Sequence, residues 1–386
     1  MKRILLIFLL LIIVTLLNLF GSKIRAQSCT DISDLNERIS CLEGEVSKLK
    51  NQGATLANQV AQFDTQIRLT QLKISQTEEK ISLLGGRIDQ LEGSLDALTN
   101  AFSSRAVETY KMSRLGDPAY IIISAPNLNE AMSRFHYLQR IQESDQDLLQ
   151  RLTSAQNTYK NEKVDQEELQ EQLQKQKAEL DSQRRAKNTL LAETKNSESK
   201  YQSLLNQAKA QLAAMRRFVT TQGGATILSN QTKCDSWGCY YNQRDAEWGN
   251  LGLGGSSYSV AGYGCLVSSV SMIASHYGKN IKPGNIAVIG EAFVPGTGYL
   301  YHSFSVNGVK VSISSASRDN LDSYLNSGQP VIAGLYSGPD HFIVILRKDG
   351  NNYIMHDPFL ENGGNRNLSD KYSVSDISSL RLVSFN

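Results

Sequence analysis

Apolar side chains recur at alternating steps of four and three residues along much of the first half of the chain. One frame runs from Leu35 to Phe102, and a second runs from Ile141 to Phe218. A seven-residue hydrophobic repeat of this length is typical of left-handed coiled coils. We therefore predict two long helices that pair antiparallel as a hairpin. The second helix is expected to pack less tightly at five polar core positions, which are Glu162, Gln166, Gln176, Gln183 and Lys187.

The repeat is interrupted between the two frames. Gly116-Asp117-Pro118 is a turn signal, residues 119–123 are apolar, and Pro126 follows them. A plain hairpin needs only a short polar connection at this point. We therefore predict a helical tip near residues 103–137, whose apolar surface either binds a partner or packs on the hairpin's own helices.

The composition changes after residue 220. The first part is rich in Gln, Leu, Lys, Glu and Ser, whereas Gly, Tyr, Trp and Pro are concentrated from about residue 230 onward. This change predicts a coiled-coil hairpin in residues 27–219, a flexible linker in 220–233 and a second domain in 234–386. In the second domain, the apolar run 341–346 predicts a buried strand, and the small apolar residues after Cys265 predict a buried helix.

The N-terminus carries a hydrophobic segment. Met1-Lys2-Arg3 is followed by residues 4–20, which are apolar except for Thr15 and Asn18. This arrangement is typical of a signal peptide or an uncleaved signal anchor, which we place in residues 1–26. We therefore predict an extracytoplasmic protein, either secreted or tethered to the cell membrane by this segment.

The five cysteines divide into two close pairs and one remainder. Cys29 and Cys41 can bridge, as can Cys234 and Cys239, in an oxidising compartment. Cys265 is then left unpaired. It is either an inert buried thiol or a nucleophile activated at a helix N-terminus.

Charge and motif content restrict the partners. The formal net charge is +2, so nothing in the composition points to nucleic acid. The sequence has neither the ligand spacing of a metal site nor a glycine-rich phosphate loop, so we predict no cofactor.

Three further residues complete a candidate site with Cys265. A hairpin folded near Asp349 brings His341 level with Asp357, and a carboxylate beside an imidazole orients a general base. Gln243 can donate a hydrogen bond to a developing oxyanion. A simple two-residue hairpin loop would place Asp357 on the wrong face of the sheet, so the chemistry requires an odd loop count or a bulge. We predict that the loop at Lys348-Asp349-Gly350 supplies it, because Gly350 can adopt a left-handed conformation.

The first half resembles a known family. The segments 105–111 and 132–138, Arg-Ala-Val-Glu-Thr-Tyr-Lys and Met-Ser-Arg-Phe-His-Tyr-Leu, together with the apolar patch 119–123, are similar to the coiled-coil domain of PcsB-type peptidoglycan-splitting proteins over about residues 35–220. The resemblance implies that the tip docks on a membrane division complex of the ABC-transporter type. It also implies that the coiled coil regulates an appended hydrolase.

The second half resembles another family. Tyr241-Asn242-Gln243-Arg244-Asp245, Gly264-Cys265, His341-Phe342-Ile343-Val344 and Asp357-Pro358 are similar to motifs of papain-like, bacteriocin-processing cysteine peptidases, in the same order, over about residues 236–386. The resemblance implies Cys265 as nucleophile, His341 as general base, Asp357 as orienting acid and Gln243 as oxyanion donor. Leu266-Val267 departs from the small residue or proline often found after the cysteine.

The expected architecture is therefore multidomain: a long antiparallel α-helical coiled-coil hairpin plus an α+β papain-like cysteine peptidase domain. The expected function is that of an exported cell-envelope cysteine peptidase, regulated by its coiled coil and acting on the stem peptide of peptidoglycan. Two alternatives stay open. One is a peptidase for secreted or surface proteins, and the other is a non-catalytic envelope scaffold that binds peptides.

Overall fold

A computed structural model describes Cys29, Ile32 and residues 34–52, 54–114 and 118–386. The predicted signal segment in residues 1–26 and the predicted turn residues Gly116 and Asp117 lie outside this part of the chain. The described chain forms two compact units. One contains the residues up to Lys48 together with Gln71–Leu173, and the other contains Leu49–Thr70 together with Gln174–Asn386.

The first part of the chain is helical. Its helices are α1 (Leu35–Lys50), α2 (Leu56–Arg114), α3 (Pro118–Ile123), α4 (Leu128–Thr194) and α5 (Glu198–Thr221). In the first unit α2 and α4 pair antiparallel, because Arg87 contacts Glu162 whereas Arg105 contacts Asp145 further along α2. In the second unit they also pair antiparallel, through Lys187 with Asp64 and Gln183 with Thr70.

Neither apolar frame forms a single helix. The first frame is divided because α1 ends at Lys50, and Glu43 of α1 forms an ion pair with Lys73 of α2. The second frame is divided because Lys195 and Asn196 have φ angles of 48° and 54°. This left-handed conformation ends α4, so α5 begins as a separate helix.

Helix α5 has two packing partners within the second unit. Near its N-terminus, Tyr201 and Leu205 pack with Leu190 of α4 and with the first turns of α2. Near its C-terminus, Met215 belongs to the core of the C-terminal domain, and Phe218 stacks on His341 of that domain. The heptad pattern placed both residues in a coiled-coil core, and this is where sequence and structure differ.

The C-terminal domain is built around an antiparallel sheet with strand order β3-β4-β9-β5-β6-β7-β8. The strands are β1 (Lys233–Cys234), β2 (Cys239–Tyr240), β3 (Ser303–Val306), β4 (Val309–Ala316), β5 (Val331–Leu335), β6 (His341–Asp349), β7 (Asn352–His356), β8 (Arg366–Asn367) and β9 (Ile377–Phe385). The helices are α6 (Val260–Tyr263), α7 (Cys265–His276), α8 (Pro283–Ala287) and α9 (Leu321–Asn326).

Alternation along β6 produces two cores. Phe342 and Val344 pack with α7 on one face of the sheet, whereas Ile343 and Ile345 pack with α9 on the other. Both faces of β6 are therefore covered, which explains why its sequence is continuously apolar. Burying each such side chain contributes about 1.5–3 kcal/mol, so α7 is held firmly against the sheet. Long helices joined to an antiparallel sheet domain agree with the predicted α+β multidomain class.

The cysteine pairing is confirmed. Disulfides join Cys29 to Cys41 and Cys234 to Cys239, and Cys265 is a buried free thiol. The second bridge closes the short β1–β2 ladder.

The predicted localisation must be corrected. Among the described residues, no helix combines the length and the apolar character needed to cross a bilayer. A hydrophobic tether to the membrane is therefore not supported. Residues 4–20, on which that prediction rested, lie outside the described chain.

Candidate active site

Cys265 is the first residue of α7 and is only 2% exposed. The short helix α6 ends immediately before it, and the two helices meet at Gly264. A Cβ atom at Gly264 would lie 2.6 Å from the carbonyl oxygen of Val260, so this tight junction requires glycine. The thiol consequently lies at the N-terminus of α7.

His341 is the first residue of β6, and its ring joins two members of the candidate site. Its Nε2 atom lies 2.8 Å from Oδ1 of Asp357, and the ring is near enough to the Cys265 side chain for the two groups to interact electrostatically. Burial opposes the charged form of the ring. The Asp357 carboxylate and the contact with Cys265 outweigh burial and raise the pKa of His341 to about 9.

Asp357 is completely buried, and its carboxylate accepts hydrogen bonds from four groups. These are His341 Nε2, the Tyr372 hydroxyl at 2.7 Å, the Phe359 amide at 2.9 Å and the Leu360 amide at 3.4 Å. Burial alone would raise the pKa of the carboxyl group, but the interactions with His341, Tyr372 and Phe359 hold the pKa of Asp357 below its usual value. Sequence reasoning missed Tyr372, because it approaches from a loop between β8 and β9 that has no distinguishing pattern.

Gln243 lies beside the junction that carries the thiol. Its Nε2 atom donates to the carbonyl oxygen of Ala261 in α6, at 2.7 Å, and its backbone amide donates to Pro358. The side chain is 1% exposed. Because Nε2 carries two hydrogens, one remains after the bond to Ala261 is made. Gln243 is therefore fixed between the segment that precedes Cys265 and the segment that follows Asp357.

The hairpin of β6 and β7 has the bulge that the chemistry requires. Asp349 pairs with Asn352 across a two-residue turn, but the register shifts between Ile345 and Arg347. The extra residue in β6 brings Val344 opposite His356. Asp357, the next residue, is thereby turned to the face that carries His341. The predicted irregularity is present, but it is a bulge at Leu346 and not an irregular loop at residues 348–350.

His356 points to the opposite face and takes no part in the site. Its Nδ1 atom accepts from the amide of Asn365, and its ring meets Trp237 and Tyr240 edge-on. Burial lowers the pKa of His356 to about 4, so the ring is neutral at ordinary pH.

The C-terminal end of α5 covers the His341 side of the site. Phe218 stacks on the His341 ring with a centroid distance of 4.2 Å and an interplanar angle of 7°, and it meets Phe359 edge-on. Beside it, the Arg217 guanidinium lies 3.6 Å from the Asp340 carboxylate. This cover was not predictable from the sequence, because the heptad pattern assigned Phe218 to a coiled-coil core.

Residues 239–376 match the model of the Peptidase_C39 like family. The match covers about a third of the chain and includes all four predicted site residues. It indicates a cysteine peptidase in this part of the chain. No curated protein and no solved structure matches the sequence. The resemblance of the helical part to PcsB-type proteins stays a prediction.

Metal-ligand residue types cluster at one place in the described chain. They are Cys29, Cys41 and Glu45, and the two sulfurs are joined in a disulfide. The cluster lies in the first unit, whereas the peptidase-like site belongs to the second.

Proposed function

We propose that the C-terminal domain hydrolyses peptide bonds with Cys265 as nucleophile, His341 as general acid and base, and Asp357 as the group that orients His341. The observation that carries this proposal is the buried His341 ring, which is bonded to Asp357 through Nε2 and interacts with Cys265. Nε2 is occupied by the carboxylate, so Nδ1 is the atom available to the sulfur. A histidine with its pKa raised to about 9 is protonated at neutral pH and stabilises an adjacent thiolate.

The reaction then takes two steps. The Cys265 sulfur attacks the carbonyl carbon, the new C–S bond forms, and the carbonyl electrons move to the oxygen. Gln243 donates its remaining Nε2 hydrogen to that oxygen. As the C–N bond breaks, the leaving amine takes a proton from His341. Water, deprotonated by His341, then attacks the thioester and releases the carboxylic acid and the thiol.

The proposed substrate is the stem peptide of peptidoglycan. The support is the similarity of segments 105–111 and 132–138 to the PcsB-type coiled coil, which acts with a wall hydrolase. A protein substrate is the second candidate, and a specific observation favours it. The side chains that cover the site, Met215 and Phe218, are apolar, so the surface beneath them suits an apolar substrate side chain.

We also propose that the helical part regulates the site, because one of its helices covers the His341 ring. Phe218 stacks on the ring that must transfer protons, so a peptide needs this surface to be vacated before it can bind. The other end of α5 packs on α2 and α4 through Tyr201 and Leu205. A change in the helical part can therefore reach the site along one continuous helix.

The proposed partner is a membrane division complex of the ABC-transporter type that binds the helical tip. Large apolar side chains in this region are exposed, and the tip also contains an apolar cleft of about 500 Å³ between α2, α3 and α4. The exposed residues are Tyr110, Tyr120, Ile123, Leu128, Met132, Phe135 and Tyr137.

Digestion of purified peptidoglycan and of an unfolded protein tests the function. The full chain and its Phe218→Ala variant are incubated with each substrate, with Cys265→Ser as the control, and released fragments are identified by mass spectrometry. Stem-peptide fragments that require Cys265 support the first candidate. Fragments from the protein alone favour the second. An accessible thiol that releases nothing from either substrate would contradict a peptidase and leave a peptide-binding scaffold.

A further inference from the structure

Arg381 is a partly buried cation that has no acidic partner in the part of the chain that the structure describes. It lies on β9 with its guanidinium 4.4 Å from the centre of the Phe342 ring, and Phe342 directly follows His341. Among the described residues, no carboxylate forms an ion pair with Arg381, and burial lowers its pKa. Removing an arginine from water is costly unless hydrogen bonds or an opposite charge compensate. Stacking on Phe342 supplies only part of that compensation.

The guanidinium lies near the part of the candidate site that contains Cys265. Electrostatic interactions connect it with Cys265 and with the Tyr299 hydroxyl. Tyr299 in turn lines a small cavity with Met215 of α5 and with Leu266 in the first turn of α7. Arg381 therefore lies on the face of the sheet that packs against α7, the helix that begins at Cys265, and Met215 of α5 borders the same region.

A second unpartnered group lies on the same face of β9. Ser379 is two residues before Arg381, so both side chains leave the strand on one side. The Ser379 Oγ atom is buried and has no hydrogen-bond partner among the described residues. It lies opposite Gly334 of β5, and a Cβ atom at Gly334 would come within 2.4 Å of the Ser379 Oγ atom. A buried hydroxyl without a partner costs stability, so its retention is consistent with an absent polar ligand.

We propose that Arg381, assisted by Ser379, binds a carboxylate of the substrate beside Cys265 and His341. This inference rests on the proposed peptidase function and adds the substrate class: a peptide with an acidic side chain or a free carboxylate near the scissile bond. A guanidinium recognises a carboxylate through two parallel N–H···O bonds, which fixes orientation as well as charge. Arg381 is thus a specificity residue, and Ser379 supplies a further hydroxyl donor.

Matched peptides test the specificity. Peptides that differ only by Glu or Gln at one position near the scissile bond are compared with the full chain carrying Phe218→Ala. We expect kcat/KM to be about tenfold or more higher for the Glu peptide than for the Gln peptide, which corresponds to a free-energy difference of about 1.4 kcal/mol. Arg381→Gln should abolish this preference mainly by raising KM for the Glu peptide, and Arg381→Lys should retain part of it. Arg366→Gln, which removes an exposed arginine of β8, is the control.

A second measurement does not require turnover. Iodoacetate and iodoacetamide alkylate Cys265 with the same chemistry but differ by one carboxylate. In the Phe218→Ala background, the ratio of the two rates should fall about tenfold with Arg381→Gln and stay unchanged with Arg366→Gln. Melting temperatures of all variants verify that they fold.

The two measurements separate the possible failures. An equal loss of activity on Glu and Gln peptides, or an unchanged alkylation ratio in a folded Arg381→Gln protein, would overturn the carboxylate site. A ratio that depends on Arg381, without hydrolysis of any peptide, would leave the site standing and refute the peptidase function.

Discussion

Replacement of Phe218 by alanine in the full chain should activate the enzyme. Phe218 is 6% exposed and contributes one face of the stack on His341. Its contacts exist only while α5 covers the site, so the substitution destabilises the covered form. The uncovered catalytic groups are unchanged. The expected result is a higher initial rate of peptide hydrolysis and faster alkylation of Cys265.

The size of the effect follows from the contacts that are lost. Burial of a phenylalanine side chain contributes about 1.5–3 kcal/mol. A pair of aromatic rings adds about 0.5–1.5 kcal/mol beyond burial. A shift of about 2–4 kcal/mol changes the ratio of uncovered to covered forms by about 30-fold to 1,000-fold. The observed rate rises by this factor or until the uncovered form predominates, whichever comes first.

The assay compares variants at equal concentration, with hydrolysis and iodoacetamide labelling measured in parallel. Phe135→Ala is the matched control, because Phe135 is an exposed aromatic residue of the first unit, far along the sequence from the site. It should leave both rates unchanged. If Phe218→Ala is folded and labels at the wild-type rate, α5 does not restrict access to Cys265, and the proposed regulation is wrong.

Three further predictions concern the catalytic groups. Gln243→Ala should lower kcat by about 10²–10³-fold, as expected for loss of an oxyanion donor, while thiol labelling at Cys265 persists. Since the pKa of His341 is raised to about 9, kcat/KM should fall as the pH rises through 9. The protonated ring also contributes stability, which is complete below about pH 6.5 and should be lost as the pH rises through 9. The lowered pKa of Asp357 contributes stability that is lost at acid pH. Because Tyr372→Phe removes one hydrogen-bond donor to the carboxylate, acid unfolding of this variant should begin at a higher pH than in the wild type. An unchanged acid midpoint would contradict this prediction.

The parts of the site that were predictable depend on local rules. Strand alternation and hairpin parity required an irregularity between His341 and Asp357, and the structure has it as a bulge next to Leu346. The odd cysteine left Cys265 free, and two short-range disulfides account for the other four. The first inference uses residues that are close in the sequence, and the second uses only the number of cysteines. Neither inference needs knowledge of tertiary packing.

The parts that were not predictable depend on long-range packing. Tyr372 bonds Asp357 from a separate loop, and Arg381 approaches from the last strand. No spacing rule connects either residue with Cys265. The helix breaks were also hidden, because an apolar frame can continue in sequence across Lys195 and Asn196 while the backbone turns. Heptad frames record which side of a helix is apolar, and they do not record where the helix ends.

The ambiguity of the second frame has a functional consequence. A helix with one apolar stripe can pack on any apolar surface of suitable shape, so the pattern that indicated a coiled coil also suits a catalytic domain. Helix α5 uses its stripe in both ways: Leu205 packs on the helical part, and Met215 packs on the catalytic domain. A helix whose apolar surface is divided between two partners can move from one partner to the other for a free-energy change of a few kcal/mol. A side chain that is packed entirely within one core cannot. The same stripe that misled the sequence prediction therefore makes α5 suitable as a releasable cover.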